Sequence, residues 1–118
     1  MPDMGQFSVP VRLTGPTGRS EEVELLVDTG AIFVVLPREI AERLELAVTR
    51  QQRVRVAGGT IATWPVAEVR VAIGDDDVPT LCLIAPGGPA LLGAVALESL
   101  LLAVDTVNRR LVPIEAHA

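Results

Sequence analysis

Lysine and tyrosine are absent from this 118-residue chain, cysteine and histidine occur once each, and aromatic residues make up only 3%. Each shortage excludes something. The lone Cys82 rules out an intrachain disulfide framework and any cysteine metal site built within one chain. All ten basic residues are arginine, set against 15 acidic ones for a net charge of -5, and they form no basic patch. Phosphate binding needs a basic face, so a nucleic-acid partner is not expected. Long apolar runs are missing too. The longest, Pro89 to Val104, contains Glu98 and is too short to cross a bilayer, so no membrane partner is expected. Met1 to Gly5 carries no basic segment leading into an apolar run, so no secretory leader is read there and a cytoplasmic location is the expectation.

What is present is aliphatic. Apolar residues account for 49%, and the ten glycines take that share to about 58%, above the usual range of about 45–50%. The length suits one domain spanning residues 1–118, and the apolar excess leaves surface for an interface.

Phe7 to Thr14 alternates with period two, Gly15 to Gly18 turns, and the aliphatic run Val23 to Val27 reads as a second strand. That strand delivers Asp28 into a turn at Gly30. Leu26, Val27, Ala31, Ile32 and Val34 to Leu36 surround the acid with apolar groups, so its carboxylate is expected to be partly desolvated. Thr29 offers a hydroxyl and Gly30 an unobstructed backbone N–H. On these residues alone Asp28 is either a reactive carboxylate or the acceptor of an Asx-type turn.

Downstream, Ile32 to Leu36 reads as a short strand and Pro37 starts a short amphipathic helix through Leu44. Gln52 to Val56, the turn Ala57-Gly58-Gly59-Thr60, and Ile61 to Ile73 predict a hairpin, with Trp64 assigned to the core. The acidic Gly74 to Asp77 lacks the ligand spacing of a calcium loop and reads as a solvated turn. Val78 to Ala85 is a strand holding Cys82 as a small buried hydrophobe, and Pro86 to Pro89 is a loop. A helix is predicted over Ala94 to Leu101, a turn at Asp105-Thr106, a last strand over Arg110 to Ile114, and a frayed tail around His117.

Leu-Leu-Val-Asp28-Thr29-Gly30-Ala31 resembles the catalytic signature of aspartic proteases, specifically the small retropepsin-like branch. Leu91-Leu92-Gly93 is similar to the family's second apolar-apolar-glycine element, which precedes a short helix. Leu97-Glu98, Val104-Asp105 and Arg110 to Pro113 match the tail of bacterial single-domain members, so the likeness spans Phe7 to Ile114. It implies a mostly β fold: a closed β-barrel half-lobe with a flap hairpin and one or two short helices. It further implies Asp28 as the catalytic acid, supported by Thr29, Gly30, Ala31, Leu92 and Gly93, with Ala57, Gly58, Gly59 and Thr60 as the flap over a peptide substrate.

Only one Asp-Thr-Gly occurs, so this chemistry requires a homodimer in which Asp28 meets its own copy. The resemblance calls for no metal or organic cofactor. Two residues depart from the pattern. Val95 and Ile32 stand where many members carry polar groups. They motivate an alternative, a catalytically weak or inactive dimeric peptide-binding module with the same fold.

Overall fold

The computed structural model describes residues 6–118, so the reading of Met1 to Gly5 lies outside the described residues. β1 (Ser8–Thr14) and β2 (Ser20–Val27) form the expected hairpin, with the alternating residues Val11, Leu13, Leu25 and Val27 buried on one side. β3 (Val34–Pro37) leads into α1 (Arg38–Arg43), whose buried residue is Ala41. β4 (Val48–Arg55) and β5 (Ile61–Ile73) make the long hairpin, and β6 (Asp76–Ala85) returns along β5. β7 (Leu91–Leu92) precedes α2 (Ala94–Ser99), and β8 (Leu102–Asp105) with β9 (Arg110–Pro113) closes the chain.

The seven-stranded sheet runs β1-β2-β7-β3-β6-β5-β4, and a further pairing of β1 with β5 bends it into a ring from which β4 extends. Val11, Leu13, Leu25, Leu36, Val69, Val71, Cys82 and Leu92 fill the interior, joined by Leu44, Leu97 and Leu100 from the helical segments. β8 and β9 form a separate two-stranded sheet. Among the described residues no helix is long and apolar enough to cross a membrane.

Four expectations are corrected. The strand after Gly30 begins at Val34, because Ala31 to Phe33 bend to bond the start of α2. β4 begins at Val48, four residues before the predicted start, since pairing to β5 holds a polar, exposed stretch that shows no alternation. α2 stops at Ser99: Leu101 reverses the chain at φ 55, and Leu102 then opens β8, a strand the leucine run concealed. Trp64 is half-buried outside the core cluster, opposite Gln52 on the long hairpin.

Candidate functional site

β2 ends where Asp28 begins, yet the ladder continues one step, with the Asp28 N–H donating to the Leu92 carbonyl at 3.0 Å. The parallel pairing of Val27 with Leu92 therefore fixes the base of the Asp28 loop against β7. Within the loop the Gly30 N–H donates to Asp28 Oδ1 at 2.9 Å, and the Ala31 N–H donates to the Asp28 carbonyl at 3.1 Å. The first is the bond an Asx-type turn requires, and it also orients the carboxylate. A β-carbon on Gly30 would sit 3.1 Å from that same Oδ1, so glycine lets the acid lie over the turn. Asp28 is half-buried, whereas Thr29 and Gly30 are exposed.

The far side of the loop is clamped by the start of α2. Ala94 and Val95 donate their N–H groups to the Ala31 and Ile32 carbonyls, each at 2.9 Å. Gly93 is buried against this loop, and a β-carbon there would fall 2.3 Å from the Phe33 carbonyl oxygen and 2.8 Å from that of Ala31. Thus Asp28, Gly30, Ala31, Leu92 and Gly93 are brought into one constellation. Thr29 stands at its exposed rim.

Register reveals a feature that reading along the chain misses. Leu26 pairs with Leu91, Leu91 with Val35, Val35 with Leu83, and Leu83 with Val66. Cross-strand partners share a sheet face, so five apolar side chains from five strands form one row. None belongs to the main core cluster; Val35 and Val66 are buried, and Leu26, Leu83 and Leu91 are half-buried. Asp28 follows Leu26 by two residues and so emerges on the face of this row. The unbroken apolar runs of β3 and β6 were the available signal, because a strand covered on both faces does not alternate.

The long hairpin continues the same face. Trp64 lies two residues from Val66, and its neighbours Gln52, Val54 and Ala62 are half-buried, while Arg53, Arg55, Ile61 and Thr63 on the other face are exposed. At the tip the Gly59 N–H donates to the Val56 carbonyl and the Val56 N–H to the Thr60 carbonyl, both at 2.9 Å. Gly58 and Gly59 adopt φ of 94 and 90, backbone angles that residues with a β-carbon resist. Ala57, Gly58, Gly59 and Thr60 form an exposed tip away from the Asp28 loop in sequence.

The arrangement offers one oriented carboxylate beside an apolar floor, with a glycine-tipped hairpin carrying the same face. A profile described as aspartyl protease matches residues 9–96. Among solved structures, EIAV protease complexed with the inhibitor HBY-793 superposes with a TM-score of 0.65 at 21% identity, covering 80% of this chain and 88% of that one. Among curated proteins no relative matches. On the match over residues 9–96, the chain belongs to the aspartyl protease family, and its fold is retropepsin-like.

Proposed function

We propose that the chain is a single-domain aspartic endopeptidase that hydrolyses peptide bonds as a homodimer, with one Asp28 from each copy. The observation that carries this reading is the Asp28 loop itself. Its carboxylate is half-buried, oriented by Gly30, and held from below by Leu92 and Gly93 in a family member with only one such signature.

Two carboxylates at one site cannot both ionise cheaply, so, as in aspartic protease dyads generally, the pair holds one proton between them. The ionised Asp28 removes a proton from a water between the two acids as that water attacks the scissile carbonyl carbon. The protonated Asp28 donates to the carbonyl oxygen as the tetrahedral intermediate forms. Its collapse breaks the C–N bond, and the leaving nitrogen takes up a proton. Thr29 of each copy holds the two loops together, and the backbone of Gly30 and Ala31 faces the substrate. The hairpin tip at Ala57 to Thr60 folds over an extended peptide and excludes water.

The deciding experiment is Asp28→Asn assayed on a peptide library between acidic and neutral pH. Cleavage is expected to vanish while dimer mass and melting are kept; unchanged cleavage refutes the assignment. The second reading, a peptide-binding module with little turnover, is favoured by the apolar Ile32 and Val95 beside the loop. Reproducible Asp28-dependent cleavage by the parent excludes it.

A further inference from the structure

β4 ends the seven-stranded sheet: it pairs with β5, and among the described residues its other edge faces no strand. Which of its backbone groups lie bare follows from the hairpin tip. The Val56 N–H bonds the Thr60 carbonyl, and along an antiparallel ladder hydrogen-bonded and non-bonded pairs alternate. Counting back through the register, Val54–Ala62 and Gln52–Trp64 are bonded pairs, whereas Arg55–Ile61, Arg53–Thr63 and Gln51–Pro65 are not. Pro65, which has no N–H to give, falls in one of the non-bonded pairs. The N–H and C=O groups of Gln51, Arg53 and Arg55 therefore turn away from β5 to the open edge. One of them, the Arg53 carbonyl, accepts from the Gln52 side-chain amide at 3.1 Å.

The same three residues put their side chains on one face, as alternate residues of a strand do, and all three are exposed. Two are arginines. Arg55 donates to the Gly59 carbonyl at 3.0 Å, Arg50 nearby reaches Gln52, and every ion pair among the described residues uses an arginine outside β4. Read along the chain, the arginines form no basic patch. The hairpin corrects that, because residues 46–67 hold Arg50, Arg53 and Arg55 and no acidic residue at all. The other seven arginines are set against all 15 acids. Charge on an edge strand serves elsewhere to keep copies apart. Here its sign is opposite to that of the surrounding molecule, so it draws acidic surfaces in.

We propose that the open edge of β4 takes up an extended acidic segment of another protein as an added strand, with carboxylates two positions apart opposite Arg53 and Arg55. In strand addition the backbone bonds supply affinity and the alternate side chains supply selectivity. Arg53 and Arg55 become bonded partners of the new strand, and residues directly opposite across a ladder have β-carbons about 4.5–5.5 Å apart. That spacing suits a guanidinium–carboxylate pair. A nucleic acid would meet the arginines but leave the ladder groups unpaired, and it would have to approach a chain of net charge -5. Arg53 and Arg55 point to the face opposite the one that continues the apolar row, so this surface is separate from the Asp28 site. It stands whether or not Asp28 is catalytic.

The test is fluorescence anisotropy of a labelled peptide of about eight residues, glutamate alternating with threonine, added to the full chain. Saturable binding below about 1 mM is expected. Arg53→Glu combined with Arg55→Glu is expected to weaken it about tenfold, with an unchanged circular dichroism spectrum. Arg12→Glu combined with Arg38→Glu makes the same charge change at exposed arginines elsewhere and is expected to bind as the parent does. Methylating the backbone nitrogens of the peptide's glutamates keeps its charges, removes its ladder donors, and is expected to cost about tenfold as well. Hydrogen exchange on the parent supplies an arm free of substitutions: saturating peptide should slow exchange chiefly in residues 48–55. Absence of saturation, equal losses in the two double variants, a methylated peptide that binds as tightly, or protection confined to other segments overturns the proposal. Oligothymidylate that binds as tightly as the peptide also overturns it, as does a parent dimer that dissociates in the Arg53 and Arg55 variant, which would assign the edge to a second copy. None of these readouts involves cleavage.

Discussion

Gly93 and Phe33 are in backbone contact so close that no larger residue fits at position 93: a β-carbon would lie 2.3 Å from the Phe33 carbonyl oxygen and 2.7 Å from its carbonyl carbon. Both atoms are main chain and cannot swing aside. The Asp28 loop must therefore lift off α2, straining the Ala94–Ala31 and Val95–Ile32 bonds that hold it. Gly93→Ala is expected to cost about 1–3 kcal/mol of stability by overpacking and to reduce cleavage at least tenfold. Urea denaturation and kcat/KM on one peptide check it. A variant with parental values for both would show that the loop is not clamped as described.

A buried hydroxyl gives a prediction of opposite sign. Thr80 is 7% exposed on β6, opposite Val69, and among the described residues its Oγ1 finds no hydrogen-bond partner. An unpaired buried hydroxyl carries its desolvation cost uncompensated, and valine replaces it with a methyl of similar shape. Thr80→Val is expected to stabilise by about 1 kcal/mol, raising Tm by about 4 °C. A fall in Tm would mean that the hydroxyl is satisfied in solution.

Acid should loosen the molecule through two surface carboxylates. The Arg43 side chain, hydrogen-bonded to Glu21, holds that carboxyl below its ordinary value, and the Asn108 amide and N–H do the same for Asp105. A depressed folded-state value stabilises above the unfolded value and is lost as pH falls through the folded one. The urea midpoint should therefore be flat near pH 6 and decline below about pH 4. Both groups are at the surface, so the loss is gradual and smaller at high salt. Asp105→Asn should flatten part of the decline; an unaltered pH profile in that variant would remove Asp105 from the account.

Much of this was readable in advance, for identifiable reasons. Alternation exposed β1, and a β-branched run followed by Asp28-Thr29-Gly30 exposed the end of β2. Glycine pairs marked the long hairpin's tip. What escaped depends on contacts distant in sequence. The apolar row rests on pairs such as Leu26 with Leu91, which no local window contains. The end of α2 was hidden because Leu101 makes its left-handed reversal without glycine, inside a run of three leucines. Ile32 looked like strand because it is β-branched, but the N–H of Val95 bends it outward.

Cys82 provides the last prediction. Its side chain is fully buried at the centre of β6, between Val34 of β3 and Ala67 of β5. Burial pushes the thiol up to about 12, opposed in part by a backbone hydrogen bond with Ala67. The thiolate is the reactive species, so at pH 8 the native side chain stays in the unreactive thiol form, and it is shielded from solvent as well. Alkylation by iodoacetamide is expected to be negligible in the native protein and complete in 6 M urea over the same interval. Because the folded value is raised, the linked stability is fully present below the unfolded thiol's value of about 8.5 and is lost as pH rises from there toward 12. Cys82→Val should be tolerated within about 1.5 kcal/mol. Cys82→Ser should cost more, about 1–3 kcal/mol, because it buries a hydroxyl where a weakly polar thiol stood. Native labelling at the unfolded rate, or a serine variant as stable as the valine one, would contradict a β6 held dry on its core face.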